Sequence, residues 1–191
     1  TYSIGILKSN DGGQTWDTTG MQFAVTDDKM VNKVIIHPTF TDSLFAVTNK
    51  NIKISPDGGQ TWSNALTSSG STMIGRFRDI EFKPNNPNVL YAVKQTTGSS
   101  QVYKSSDRGL SWSSAMNGIS VANRNRPLLA VTPANPDAVY VLFCMNDYGF
   151  HGIYKSTDNA DSWTLQSDSP NILGRNTDGT STGGQSWYDL S

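Results

Sequence analysis

Four aspartates occupy the same position in four similar segments, and recurring carboxylates are natural candidates for hydrolytic or metal chemistry. The shared pattern is Ser-x-Asp-x-Gly-x-Ser/Thr-Trp, with Ala160 in place of the glycine in the last copy. The copies comprise Ser9, Asp11, Gly13 and Trp16; Ser55, Asp57, Gly59 and Trp62; Ser105, Asp107, Gly109 and Trp112; and Ser156, Asp158 and Trp163. Successive tryptophans are 46, 50 and 51 residues apart, so the aspartates belong to a long repeat.

A structural role explains these segments better than catalysis or calcium binding. A serine and an aspartate two residues apart can both accept hydrogen bonds from backbone N–H groups of one turn. The glycine supplies a positive φ, and the tryptophan packs beneath the turn. Carboxylates that lie one repeat apart cannot converge on one substrate, and each turn offers too few oxygen ligands for calcium. We therefore predict four structural turns, called Asp turns below.

Arginine is the charged residue with an uneven distribution. Five of the six arginines lie before or at the start of a predicted strand: Arg76, Arg78, Arg124, Arg126 and Arg175. Guanidinium groups pair bidentately with carboxylates and bind sulfates well, so these residues are candidates for binding a carboxylated or sulfated glycan. The alternative is solvated loop charge that nearby aspartates partly offset. Those aspartates are Asp27, Asp28, Asp79 and Asp178.

Aromatic residues and one carboxylate complete the candidate groups. Tyr148 and His151 lie in the loop 146–151, whose rings can stack on sugars or fold over the neighbouring sheet. The connection 167–185 is about ten residues longer than its counterparts and leads to Trp187 and Asp189. Long loops on a rigid scaffold often carry function. Asp189 is the single candidate for a catalytic carboxylate, with hydrogen bonding at a strand start as the alternative, so no catalytic residue is assigned. No second histidine accompanies His151, and neither a metal nor a cofactor is predicted.

Short strands must position these groups. Three prolines, Pro38, Pro84 and Pro133, each end a run of alternating apolar and polar residues, and alternation with period two is typical of strands. Each repeat therefore predicts four strands, A to D, with the Asp turn between C and D. A repeat of about 40–50 residues made of short strands has the size of one four-stranded propeller blade.

Loop lengths distinguish two faces of such a fold. The variation between repeats falls in the B–C loop, because the other elements keep their length. In an antiparallel blade, B–C loops and D-to-A connections emerge on one face, here called the variable-loop face, which includes 146–151 and 167–185. The A–B and C–D turns emerge on the other, the Asp-turn face, which includes 38–43 and 55–62. The five arginines are predicted on the variable-loop face.

The composition fits this fold and excludes other classes. Ser, Thr, Asn and Gly make 75 of 191 residues, and Glu occurs once, which favours turns over helices. The formal net charge of -1 argues against binding nucleic acid. No stretch approaches the ~20 apolar residues that span a membrane. A lone cysteine, Cys144, excludes an internal disulfide.

The Asp turns resemble the Asp-box (BNR) repeat of β-propellers, and the resemblance extends from Tyr2 to Trp163. This family includes sialidases, xyloglucanase-type glycoside hydrolases, sortilin-type receptors and photosystem assembly factors. The Pro-x-x-Pro segments 84–87 and 133–136 look most similar to the sortilin-type and xyloglucanase-type branch of secreted propeller proteins. The resemblance implies structural Asp boxes, and it implies the fold rather than the activity.

The predicted organisation is a single all-β domain over 1–191, a partial β-propeller of four-stranded antiparallel blades in an incomplete circle. The blades are predicted at 1–20 (strands C and D only), 31–66, 77–116 and 126–168, and 186–191 is predicted to begin another strand A. The first of these blades has no strand B beside its strand C. We therefore expect a fragment of a larger propeller, whose remaining blades belong to the same chain.

Two functions are compatible with these patterns. The favoured one is a non-enzymatic binding or scaffold module of a secreted or cell-surface protein, with a glycan or protein ligand on the variable-loop face. The alternative is part of a xyloglucanase-like or sialidase-like glycoside hydrolase, with catalytic carboxylates largely outside this chain. A pair of carboxylates facing one cleft would distinguish the hydrolase. A third option is an assembly factor that binds a protein or pigment complex through the arginine side.

Overall fold

The computed structural model describes residues 3–120 and 122–190, whose regular secondary structure is almost entirely β-strand. Among these residues the exceptions are one α-helix and one 3-10 turn at Val25–Asp27. The elements are β1 (Gly5–Lys8), β2 (Asp17–Gln22), β3 (Val31–Ile36), β4 (Leu44–Thr48), β5 (Ile52–Ser55), β6 (Ser63–Asn64), β7 (Leu66–Thr67), β8 (Arg76–Phe82), β9 (Leu90–Gln95), β10 (Gln101–Ser105), β11 (Ser111–Ser114), β12 (Pro127–Val131), β13 (Val139–Cys144), β14 (Phe150–Ser156), β15 (Thr164–Ser167) and α1 (Ser186–Asp189). Predictions for residues 1, 2 and 191 lie outside the described residues.

The strands form four sheets, each made of strands that follow one another in the chain. The first sheet is β1-β2, the second is β3-β4-β5-β6, the third is β8-β9-β10-β11 and the fourth is β12-β13-β14-β15. Neighbours in this sequence are antiparallel; in the second sheet, for example, Leu44 lies opposite both Ile36 and Ser55. The short β7 departs from this scheme, because it runs parallel to β11 at the edge of the third sheet.

Apolar side chains fill the spaces between successive sheets. One core cluster, which includes Phe45, Phe77 and Trp112, joins the second and third sheets. Another, which includes Tyr91 and Val141, joins the third and fourth. Strands with alternating side chains place one apolar row on each sheet face, and stacking removes these rows from water. The sheets are therefore held face to face in chain order.

The stacked antiparallel sheets form a partial β-propeller, which confirms the predicted fold class. β8 contacts β3 and β4 of the sheet before it, and β12 contacts β8 and β9. The first sheet has two strands and covers less of its neighbour. Val34 on β3 is consequently 38% exposed, whereas Ile80, at the equivalent position of β8, is fully buried. The described sheets do not close into a ring.

The segment predicted to begin a further strand A forms helix α1 instead. Ser186 and Leu190 are buried, whereas the three residues between them are exposed, and a spacing of four residues matches one helical turn. Leu190 belongs to a core cluster with Cys144 of β13. The Asp189 N–H donates to the Gln185 carbonyl oxygen at 3.1 Å. Burial of Leu190 against the fourth sheet therefore favours a helical turn over an extended strand.

Candidate functional site

The Asp turns use their carboxylates internally. Asp57 Oδ1 accepts hydrogen bonds from the Ser55 hydroxyl and the Thr61 N–H, both at 2.8 Å, and Oδ2 accepts one from the Thr61 hydroxyl at 2.6 Å. The Ser55 hydroxyl also accepts from the Gly59 N–H at 2.8 Å. The other three copies make the same bonds. Hydrogen bonds from Thr61, its hydroxyl first, hold the pKa of Asp57 below its usual value.

The tryptophans that follow these turns differ in their surroundings. Trp112 Nε1 donates to the Gly109 carbonyl oxygen of its own turn at 2.8 Å, and the first two copies make the equivalent bond. Trp163 donates instead to Ala115, just after β11, at 3.0 Å. Trp112 is 1% exposed and Trp16 is 59% exposed. The ring positions therefore depend on the neighbouring sheet as well as on the turn.

Three of the candidate arginines form a cluster, called the arginine cluster below: Arg76, Arg78 and Arg126. Arg76 and Arg78 lie at the start of β8, and Arg126 directly precedes β12. Burial, together with the charges of Arg76 and Arg126, lowers the pKa of Arg78 to about 10. Burial also lowers the pKa of Arg126, and the charge of Arg76 acts in the same direction. β8 and β12 contact each other, so Arg76, Arg78 and Arg126 lie at neighbouring positions, where like charges disfavour one another.

The aspartates expected to offset the arginine charge are engaged elsewhere. Three of them pair with lysines: Asp27 with Lys29 at 3.1 Å, Asp28 with Lys50 at 3.6 Å, and Asp79 with Lys33 at 2.8 Å. The fourth, Asp178, accepts a hydrogen bond from the Thr180 hydroxyl at 2.7 Å. Every ion pair in the described part of the chain uses a lysine. The positive charge of the arginine cluster is therefore left without an acidic partner there.

Neutral acceptors orient the cluster instead. Arg78 Nε donates to Gln95 Oε1 at 2.5 Å, and Gln95 Nε2 donates to Asn125 Oδ1 at 2.9 Å. Arg126 Nη1 donates to the Trp187 carbonyl oxygen at 2.7 Å, and its guanidinium carbon lies 6.0 Å from the Trp187 ring centroid. Sequence reasoning missed Gln95 and Asn125. The sequence signals for them are weak: Gln95 is a polar residue at the end of the apolar strand β9, and Asn125 lies between two arginines.

Aromatic rings next to the cluster line an open groove of about 570 Å³, called the aromatic groove below. Its lining residues are Tyr148, Arg175, Gly184, Gln185, Trp187 and Tyr188. The Tyr148 and Trp187 rings meet edge to face, with centroids 5.9 Å apart. Tyr188, which sequence reasoning also missed, is 78% exposed. The structure thus brings the candidates Tyr148, Arg175 and Trp187 together beside Arg126.

The long connection before α1 shapes this groove. Asn171 Nδ2 donates to two carbonyls of the same connection at 3.0 and 2.8 Å, and Asn171 Oδ1 accepts from the Phe150 N–H at 2.8 Å. Gly184 passes so close to the loop 146–151 that a Cβ there would lie 2.4 Å from the Tyr148 carbonyl oxygen. Only glycine tolerates that approach. The groove is therefore held by specific contacts between the connection 167–185 and the loop 146–151.

Arg124 and His151 lie near each other but outside the lining of the aromatic groove. Arg124 is 6% exposed and its Nε donates to the Ser100 carbonyl oxygen at 3.0 Å, while its Nη1 has no partner among the described atoms. His151 Nε2 lies 3.0 Å from the Ala122 carbonyl oxygen. Burial lowers the pKa of His151, and the charge of Arg124 adds to that effect. His151 is therefore a neutral, hydrogen-bonded ring near pH 7 rather than an exposed stacking surface.

Asp189 does not lie on an inner strand. It is the last residue of α1 and its side chain is exposed. The lining of the aromatic groove contains no Asp or Glu. The described residues therefore supply no pair of carboxylates facing this groove, which is the feature that a glycoside hydrolase would need.

Residues 3–120 and 122–190 contain no cluster of three or more His, Cys, Asp or Glu side chains suited to a metal ion. No helix in those ranges is long and apolar enough to cross a membrane.

Comparison with models of known protein families identifies the family of this chain. The model of the family Sortilin-Vps10, described as sortilin, neurotensin receptor 3, matches residues 5–120 and also residues 50–176. The chain belongs to the Sortilin-Vps10 family. No curated protein matches this Sortilin-Vps10 chain.

Solved structures share the fold of this Sortilin-Vps10 chain. The GH74 xyloglucanase from Xanthomonas campestris has a TM-score of 0.67 at 13% identity, covering 85% of this chain and 27% of that one. The GH74 enzyme from Niastella koreensis gives 0.66 at 20% identity, covering 85% and 26%. The Hadza microbial sialidase Hz136 gives 0.55 at 14% identity, covering 88% and 41%. The chain thus spans about a quarter of the GH74 enzymes, and the likeness concerns the propeller fold alone.

Proposed function

We propose that this chain is a ligand-binding propeller module of a secreted or cell-surface protein, and that its variable-loop face binds a carboxylated or sulfated glycan. The arginine cluster carries the proposal, because it has no acidic partner in the described residues and adjoins the aromatic groove. Partly buried charge without a counter-ion is costly. An anionic ligand would supply that counter-ion. The extracellular setting is supported by the resemblance to secreted propeller proteins.

An acidic sugar has an anionic group that suits the arginine cluster and an apolar ring face that suits the aromatic groove. Arg126 commits one N–H to the Trp187 carbonyl oxygen, and a guanidinium has five N–H donors in all. The others can bind a carboxylate or sulfate with charge-assisted hydrogen bonds worth about 1.5–3 kcal/mol each. The exposed rings of Trp187 and Tyr188 offer apolar surfaces for the sugar ring. A neutral glucan would use the rings and leave the arginine charge unpaired.

A glycan array probed with the intact protein at low and at physiological salt tests the proposal. We expect acidic glycans to bind, and binding to weaken at higher salt, because exposed charges are screened beyond about 8–10 Å at physiological ionic strength. Arg126→Gln should reduce the acidic signals at least tenfold. Lys155→Gln, which removes one positive charge from β14 outside the arginine cluster and the aromatic groove, is the control and should leave them unchanged.

Two outcomes would overturn the proposal. Binding confined to neutral β-glucans, unaffected by salt and by Arg126→Gln, would favour the hydrolase alternative. Binding confined to acidic proteins or peptides, with no glycan bound, would replace the glycan with a protein ligand.

A further inference from the structure

A separate pocket lies on the Asp-turn face, between the second and third sheets, and we propose that it binds a small oxyanion: a carboxylate, sulfate or phosphate group. This pocket, called the joint pocket, has a volume of about 470 Å³. Its lining includes His37, Phe40, Asp42, Ser43, Pro56 and Arg108. It shares no residue with the arginine cluster or the aromatic groove, so the inference is independent of the proposed function.

His37 lines this pocket and carries an unpaired buried donor. Its Nδ1 accepts hydrogen bonds from the N–H groups of Thr39 and Phe40 at 3.2 and 3.1 Å. A ring nitrogen that accepts carries no proton, so the proton of the neutral imidazole is on Nε2. The residue is 2% exposed, and Nε2 has no partner among the described atoms. A buried donor without an acceptor is costly, and a ligand oxygen would satisfy it.

Arg108 adds a positive charge from the neighbouring sheet. It follows the aspartate of the third Asp turn, has a φ of 59°, and its backbone N–H donates to the Asn88 carbonyl oxygen at 2.9 Å. Its side chain is exposed and makes no ion pair within the described ranges. Burial lowers the pKa of His37, and the charge of Arg108 adds to that effect. Both residues line the joint pocket, and each brings a donor to it.

The equivalent contact between the third and fourth sheets has an internal acceptor for its donor. Lys83 occupies the position of His37, directly before the proline that ends strand A, and Asn159 occupies the position of Arg108. Lys83 Nζ binds Asp137 Oδ1 at 2.6 Å and also binds Asn159 Oδ1. The contact between the third and fourth sheets therefore pairs one donor, Lys83, with two acceptors, Asp137 and Asn159. In the joint pocket the residues at these two positions, His37 and Arg108, are both donors and do not bind each other, and a ligand oxygen would supply the acceptor.

The lining of the pocket also includes one carboxylate, Asp42, which would repel an anion that bound close to it. A Cβ placed on Gly58 would lie 3.3 Å from Asp42 Oδ1 and 3.0 Å from Lys8 Nζ. The carboxylate thus lies on the side of the first sheet, with the Lys8 ammonium close by. The hydroxyl groups of Thr41 and Ser43 are further possible donors in the lining. An oxyanion between His37 and Arg108 therefore meets donors on both sides, with the Asp42 carboxylate at the side of the first sheet.

Nuclear magnetic resonance of histidine-labelled intact protein tests this inference. His37 and His151 are the two histidines of this sequence and lie on opposite faces, so His151 is an internal control. Sulfate, acetate and phosphate are titrated separately, with ionic strength held constant by sodium chloride. We expect a saturable shift of the His37 imidazole signal with at least one of them. The anion that binds most tightly distinguishes a planar carboxylate from a tetrahedral group.

Arg108→Asn is the matched variant, because Asn159 has the same place in the fourth Asp turn with a φ of 63° and the turn conformation should be kept. It should weaken the binding seen at His37 at least tenfold, whereas Lys155→Gln, which removes a positive charge on β14 outside both sites, should leave it unchanged. The inference is overturned if no anion shifts the His37 signal saturably, or if Arg108→Asn binds as tightly as the unaltered protein.

Discussion

Trp112 and Trp16 end two copies of the same turn but differ in burial, so the pair measures what sheet stacking adds to the stability of this chain. Trp112 is 1% exposed and Trp16 is 59% exposed. Each Nε1 donates to a glycine carbonyl oxygen of its own turn, at 2.8 Å for Trp112 and 3.2 Å for Trp16. The local hydrogen bond is common to both, and the difference between Trp112→Ala and Trp16→Ala therefore reports packing between sheets.

The expected difference follows from the covered area. Replacing a fully buried tryptophan by alanine costs about 3–5 kcal/mol, which is below the upper bound of roughly 6 kcal/mol from about 250 Å² at about 25 cal/mol per Å². With about two fifths of its surface covered, Trp16 scales to about 1–2 kcal/mol. Trp112→Ala should therefore destabilise the 191-residue chain by about 2–3 kcal/mol more than Trp16→Ala.

Urea unfolding followed by far-ultraviolet circular dichroism measures both variants without relying on tryptophan fluorescence. Trp112→Phe and Trp16→Phe are the controls, since they keep most of the ring volume while removing the Nε1 donor. Equal losses for the two alanine variants would refute the reasoning, because they would mean that stacking of the sheets contributes nothing beyond the turn itself.

Three further predictions concern the turns and the long connection. Hydrogen bonds from Ser162, its hydroxyl first, lower the pKa of Asp158 from 3.8 to about 2. Because the folded pKa is the lower one, the stabilisation from this carboxylate is complete above about pH 4 and is lost as the pH falls towards 2. Asp158→Asn should therefore flatten the dependence of the urea unfolding midpoint on pH between about 4 and 2. Gly109→Ala should lower the urea midpoint more than Gly12→Ala, because both have positive φ but only at Gly109 would a Cβ lie 2.6 Å from the Phe45 ring; equal midpoints would contradict this. Asn171→Ala should speed amide hydrogen exchange across 168–185 while β4 stays protected, and unchanged exchange would show that the asparagine does not hold the loop.

Local features of the sequence were enough to predict the propeller fold and most of its strands, although not β7 or helix α1. The proline landmarks work because proline cannot continue a central strand, and β3 and β8 end at Ile36 and Phe82, two residues before Pro38 and Pro84. The Asp turn is equally local, since its bonds join residues two and four positions apart. Alternation, turn residues and a fixed repeat all agree at these positions, which is why the propeller fold could be predicted without a structure.

Features that depend on how distant segments pack could not be predicted. The bond from Arg126 to the Trp187 carbonyl oxygen joins residues 61 positions apart, and nothing near either residue signals it. Helix α1 exists because Leu190 is buried against the fourth sheet, whereas its five-residue pattern fits a strand equally well. The pairing of Asp79 with Lys33 rather than an arginine likewise depends on which strands stack, since the two residues lie on β8 and β3.

The most direct test of the binding account is the dissociation constant of one acidic glycan, chosen from the array, measured by isothermal titration calorimetry at low and at physiological salt. We expect the constant to rise with salt for the unaltered protein, to rise at least tenfold at low salt in Arg126→Gln, and to stay unchanged in Lys155→Gln, the control on β14. A constant that is the same in all three proteins and at both salt concentrations would contradict the account, because the arginine cluster would then take no part in binding.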